Sequence, residues 1–115
     1  MPVIKVWCLP ADQAEEDLNR LHQTIVAAVV GISELGLRDQ NDMTVLFPPD
    51  MMVYGLGEVI VVEINGLLAK PEQTPQVCGR LATSVGKGVK TLYPEAMVEC
   101  FVTTFEHWQG FWTSA

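Results

Sequence analysis

The chain reads as an α+β domain in which two consecutive βαβ units build a four-stranded sheet with two helices on one face. Three observations predict this. The order strand, long helix, strand occurs twice along the 115 residues. The two halves each run to roughly 45 residues with similar internal spacing, as a duplicated unit gives. Each connection between the strands of a half is long and helical, which is what parallel pairing with a right-handed crossover requires. One domain, 1–115, follows, with the repeat over about 2–48 and 59–105.

Val3 to Cys8 is β-rich, and Pro10 breaks it before Asp12, a candidate helix cap with Glu15 three residues later as reciprocal partner. Leu18, Leu21, Ile25, Ala28, Val29, Ile32 and Leu35 then recur at helical spacing, so the pattern predicts one amphipathic helix ended by Gly36. Met43 to Phe47 is a second strand, stopped by Pro48, Pro49 and Asp50, and the stretch to Gly57 is a loop. Val59 to Ile64 is almost unbroken in β-branched residues and reads as a central strand covered on both faces. Asn65 and Gly66 open a further loop. Thr74 and Pro75 are a cap and a first helical position, and Val77, Leu81, Val85, Val89 and Leu92 mark the second helix up to Pro94. Ala96 to Phe105 is the fourth strand, followed by an aromatic tail containing Trp108, Phe111 and Trp112.

Composition narrows the function classes. Hydrophobic residues make up 49% of the chain and the mean hydropathy is +0.22, high for a domain of this size, so surplus apolar area is expected to be buried against identical subunits. No run reaches the 18 or so apolar residues of a membrane span, and the start lacks a secretory pattern, which makes a cytoplasmic location the expectation. A net charge of −7 with only seven scattered Lys and Arg argues against nucleic acid. Cys8, Cys78 and Cys100 are widely spaced and lack a CxxC pair, so they read as buried reduced thiols. His22 and His107 have no second ligand at metal spacing, and no metal site is predicted.

Pro2 carries the chemical interest. It follows Met1 directly, and a small residue there is the usual condition for Met removal, which would leave a secondary amine at the chain's start. A proline nitrogen inside a peptide bond has no hydrogen and no useful basicity. A free α-amino group titrates at roughly 7.7 to 8.0, and burial lowers that toward neutrality, where general acid/base catalysis works best. The plainer reading is a proline at a strand's entry.

Pro2 opening the first strand, the doubled βαβ unit and the chain length together resemble the tautomerase superfamily, most closely its branch similar to macrophage migration inhibitory factor. The local match is strongest from Leu37 to Gly57, where Arg38 lies two residues past Gly36 and is followed by a short strand, Pro49, Asp50 and Gly57. Gly110, Phe111 and Trp112 resemble that branch's C-terminal glycine-aromatic segment. The resemblance implies a homotrimer with the three sheets forming an inner barrel, and active sites at subunit interfaces with the amino-terminal proline at each base. It places Arg38 where the family carries its active-site lysine. The final strand departs from the branch, offering Glu99, Cys100 and Phe101 in place of a tyrosine and asparagine pair, and the absent CxxC withdraws any oxidoreductase activity.

The expected activity is cofactor-independent keto-enol tautomerisation of a small enolisable 2-oxo acid, such as an arylpyruvate, or of a 2-hydroxydienoate. Pro2 would move the proton and Arg38 would hold the substrate's carboxylate or carbonyl oxygen; a solvated cation at a helix end is the plainer role for Arg38. Lys5 is a candidate neighbour of the amine, or simply the partner of an acid. Asn65 is a candidate donor to substrate or a plain turn residue. Tyr54, Trp108 and Phe111 are candidate lining for an aromatic substrate, or an interface seal. Two rivals remain: a ligand-binding or interaction module that keeps the fold without catalysis, and a ferredoxin-like monomer whose middle strands form a hairpin.

Overall fold

In strands, alternation decides which side chains are inside, and the computed structural model, which describes residues 1–53 and 56–114, follows it closely. The elements are β1 (Val3–Trp7), α1 (Glu15–Val30), β2 (Thr44–Leu46), β3 (Val59–Leu68), α2 (Pro75–Leu92) and β4 (Met97–Phe105). The sheet order is β2-β1-β3-β4. β1 pairs with β2 in parallel, β3 pairs with β4 in parallel, and β1 runs antiparallel to β3. Two βαβ units therefore meet side by side. β2 lies at the edge and has no pairing with β3, which excludes the ferredoxin-like hairpin.

Both helices cover one face of the sheet. Ile4 and Val6 of β1, Ile60, Val62 and Ile64 of β3, Leu21, Ile25 and Val29 of α1, and Leu81, Val85 and Val89 of α2 are all at most 1% exposed. Each such side chain contributes about 1.5–3 kcal/mol relative to an exposed one, so this layer is the main source of stability. Among the described residues no helix is long and apolar enough to cross a membrane.

β3 is central, as its sequence predicts, and within this chain the helices cover one side of it: on the other, Val61 and Glu63 are half-buried and Val59 is exposed. Around them Leu46, Met97 and Phe101 also stand exposed. The continuous apolar run of β3 thus faces two different environments.

Helix boundaries differ from the sequence reading for local reasons. Ala11 and Asp12 form a turn, so α1 starts after Ala14, and the Asp17 carboxylate accepts from the Ala14 amide at 3.0 Å, the reach-back role expected of Glu15. At the other end Gly31 stops the α-helix, Ile32 turns extended to bury itself, and Ser33–Leu35 forms a separate 3₁₀ turn. Gly36 still closes the segment, in the left-handed region at φ +66°. α2 begins as read, with Thr74 Oγ1 accepting from the Val77 amide at 3.3 Å and Pro75 in the first turn.

Asn65 and Gly66 do not end β3. The strand continues to Leu68 through a bulge: pairing with β4 jumps from Ile64 opposite Val102 to Leu67 opposite Thr104. Three residues advance against two, and Gly66 at φ +79° absorbs the extra one. Leu67 consequently returns to the buried face at 4% exposure.

Candidate active site

Three segments converge where β1 and β2 begin and β3 finishes. Pro2 is buried and leads into β1. Its carbonyl oxygen accepts a hydrogen bond from the Thr44 amide at 2.9 Å, which ties it to the first residue of β2. On its other side Val3 pairs with Asn65, and the β3 bulge presses in behind. A Cβ at Gly66 would stand 3.0 Å from the Met1 carbonyl oxygen, 3.5 Å from the Val3 nitrogen and 3.7 Å from Pro2 Cα. Only a residue without a side chain leaves this approach unstrained, both for space and for its positive φ.

Of the other candidates, Asn65 is brought beside Pro2 and the rest are distributed. Lys5 lies further along β1 on the open face, with Nζ 4.0 Å from Glu63 Oε1. The Trp7 indole donates to the same oxygen at 3.1 Å, so Glu63 gathers two neighbours from β1. Lys5 thus takes the acid-partner role.

Arg38 has an 87% exposed side chain, its Nε 3.6 Å from Asp42 Oδ2. Its own amide donates to that oxygen at 2.8 Å. This backbone hydrogen bond, helped by the guanidinium charge, holds the Asp42 carboxyl below the usual carboxylate range. Arg38 also lines a groove of about 270 Å³ against His22, Val26 and Val30 of α1, and Pro2 is not among that groove's walls.

The aromatic tail gathers at the same end of the sheet, one strand over. Phe111 packs on Phe105 and His107 with ring centroids 5.4 and 5.1 Å apart. Trp108 is 78% exposed, donates its indole N–H to the Glu106 carboxylate, and borders an open cleft of about 670 Å³ with Lys70, Pro71 and His107. Tyr54 lies outside the described residues.

The three cysteines are half-buried instead of buried. Burial nevertheless pushes the Cys100 thiol up to about 11, so it is protonated at neutral pH. Among the described residues no group of three His, Cys, Asp or Glu is arranged to hold a metal.

Thr44, Gly66 and Glu63 were not singled out by the sequence. A glycine after an asparagine signals a turn, and nothing local distinguishes a turn from a bulge that continues the strand. Thr44 gains its position only because the α1 crossover sets β2 beside β1.

No family model and no curated protein matches the chain. Solved structures do. A wild-type fused 4-OT asymmetric trimer aligns over 97% of this chain and 92% of its own with a TM-score of 0.77 at 12% identity. Pt0534 inactivated by 2-oxo-3-pentynoate aligns over 99% and 92% with 0.69 at 13%. Malonate semialdehyde decarboxylase aligns over 98% and 90% with 0.61 at 10%. At these identities the likeness is one of fold, and the fold is that of 4-OT and of other tautomerase-superfamily enzymes.

Proposed function

We propose that this chain, one domain over 1–115 with its repeat at about 2–48 and 59–105, is a cofactor-independent keto-enol tautomerase of the branch similar to macrophage migration inhibitory factor. It acts in the cytoplasm, as a homotrimer, on a small enolisable 2-oxo acid or a 2-hydroxydienoate. The observation that carries the reading is Pro2 itself: buried, hydrogen-bonded to Thr44 and backed by the Gly66 bulge, at the start of a sheet whose fold tautomerase-superfamily enzymes share.

With Met1 in place the Pro2 nitrogen is an amide of the Met1–Pro2 bond and cannot take a proton. Met1 removal makes it a secondary amine held by its own backbone. That amine takes a proton from the enol hydroxyl, or from the carbon beside a ketone, and returns it at the other atom. Electrons redistribute within the substrate, so no oxidant or cofactor enters. Substrate carboxylate is met by Arg38, whose planar fork suits two oxygens and which reaches it by leaving Asp42. Asn65 donates to a substrate oxygen, and Trp108 and Phe111, with Tyr54, close the mouth over an aromatic or dienyl group. The exposed apolar residues of the open sheet face supply the trimer contact.

The test is direct. Mature protein whose mass shows Met1 gone should interconvert an arylpyruvate's enol and keto forms, and Pro2→Ala should lower kcat/KM by roughly a hundredfold or more with the oligomer intact. Full activity in Pro2→Ala sinks the reading. A second reading, a non-catalytic binding module, is favoured by the placement of Arg38 in a groove that Pro2 does not line. Ligand binding by the mature chain without turnover would select it.

A further inference from the structure

Besides its backbone bond to Pro2, Thr44 makes a side-chain contact: its hydroxyl donates to the Met1 sulfur at 3.3 Å. Met1 therefore lies between the Thr44 hydroxyl on one side and, through its carbonyl oxygen, the Cβ-less face of Gly66 on the other. Atoms attached to the Pro2 nitrogen occupy the direction that its lone pair takes once Met1 is gone. A substrate atom exchanging a proton with that nitrogen must lie along the same direction. The volume Met1 fills is thus the volume of the reacting end of a substrate.

We infer that the Thr44 hydroxyl is a substrate-binding group of the Pro2 site, donating to the 2-oxo or carboxylate oxygen of an enolisable 2-oxo acid seated where Met1 lies between Thr44 and Gly66. The inference rests on the Pro2 reading. A thioether sulfur is a weak acceptor, so losing it costs the hydroxyl little, whereas a carbonyl or carboxylate oxygen is a strong one. Thr44 lies on β2 and Gly66 in the β3 bulge, both rigid elements tied to β1 by pairing, so the hydroxyl is held in place before substrate arrives. Gly66 gives the opposite wall its depth.

The probe is 2-oxo-3-pentynoate, an acetylenic 2-oxo acid. A free Pro2 amine adds to the alkyne carbon far from the carbonyl, forming a C–N bond, while the amine proton passes to the neighbouring carbon; mass spectrometry of the mature protein follows this. Thr44→Val keeps the backbone bond and the shape. It should weaken the reversible binding constant of the probe roughly tenfold, the effect of one hydrogen bond to a charged or strongly polarised oxygen, with the melting temperature unchanged. Thr44→Ser should behave as wild type and Thr44→Ala as Thr44→Val, which separates the hydroxyl from the packing of the methyl. Wild-type binding in Thr44→Val and Thr44→Ala, with labelling abolished in Pro2→Ala, overturns the role of Thr44 and leaves Pro2 standing. A mature wild-type chain that is not labelled overturns both.

Discussion

The Thr44 amide donates to the Pro2 carbonyl at 2.9 Å, so the residue that leads into β1 is fixed by the first residue of the edge strand β2. These residues are forty-two positions apart, and α1 is what brings them together: it carries the chain across the sheet so that β2 returns parallel to β1. A residue at the start of a strand is otherwise free to fray. Here it is clamped from both neighbours, by β2 on one side and by the β3 bulge on the other.

The bulge makes a specific demand at Gly66. With φ at +79°, alanine there adopts a conformation that L-residues disfavour by about 1–2 kcal/mol. Gly66→Ala is therefore expected to lose that much stability in urea denaturation, and to lower kcat/KM for the proposed tautomerisation because the wall beside Pro2 moves. A variant with wild-type stability would show that the bulge relaxes easily.

Two glycines of α2 should respond in opposite directions. Gly79 has open space where a Cβ would go, so Gly79→Ala is expected to stabilise by about 0.5–1 kcal/mol through helix propensity. At Gly88 a Cβ would lie 2.9 Å from Thr24 Cγ2 on α1, and the Thr24 hydroxyl is committed to the Arg20 carbonyl at 2.8 Å, which restrains its rotation. Gly88→Ala should therefore lower the melting temperature, and adding Thr24→Ala should recover it. Calorimetry of the three variants decides the order.

Phe101 stands 45% exposed on the sheet's open face, opposite Glu63 in register. Aspartate at this position would carry a charge into the proposed trimer interface next to an existing acid, a repulsive and desolvated pair. Phe101→Asp is expected to shift the trimer to monomer in light scattering, with the far-ultraviolet circular dichroism unchanged. An intact trimer would place the interface elsewhere.

Alkaline pH should weaken the fold through Cys100. Burial raises its thiol from 9.0 to about 11, so as pH climbs through that window the unfolded thiol ionises while the folded one stays protonated. The contribution is fully present below pH 9 and falls away between about pH 9 and 11. Tyr93, raised by burial and by the Asp17 charge, adds a loss of the same sign at higher pH. Urea titrations at successive alkaline pH values should show a shallower decline for Cys100→Val than for wild type.

Much of this fold was legible because periodicity reports burial. Leu21, Ile25 and Val29, like Leu81, Val85 and Val89, recur every fourth residue and lie against the sheet as that spacing requires. Thr74 and Pro75 marked a helix start because capping is a local hydrogen bond. The limits lay where a local signal has two outcomes: Gly31 and Gly36 both interrupt the first helix segment, and only packing of Ile32 and Leu35 shows that the first ends α1 and the second ends the turn beyond it. Of the proposed site, Pro2 is the part that sequence alone suggests, since its position behind Met1 is a fact of sequence.

What the sequence by itself determined is the pair of βαβ units, the helix faces and a proline directly behind Met1, since each depends on neighbours within a few turns of chain. The tertiary structure decided which side of β3 the helices pack against, that Lys5 belongs to Glu63, and that Thr44 and Gly66 flank Pro2. These depend on pairing between residues tens of positions apart, where a shift of one register step would turn every side chain to the other face.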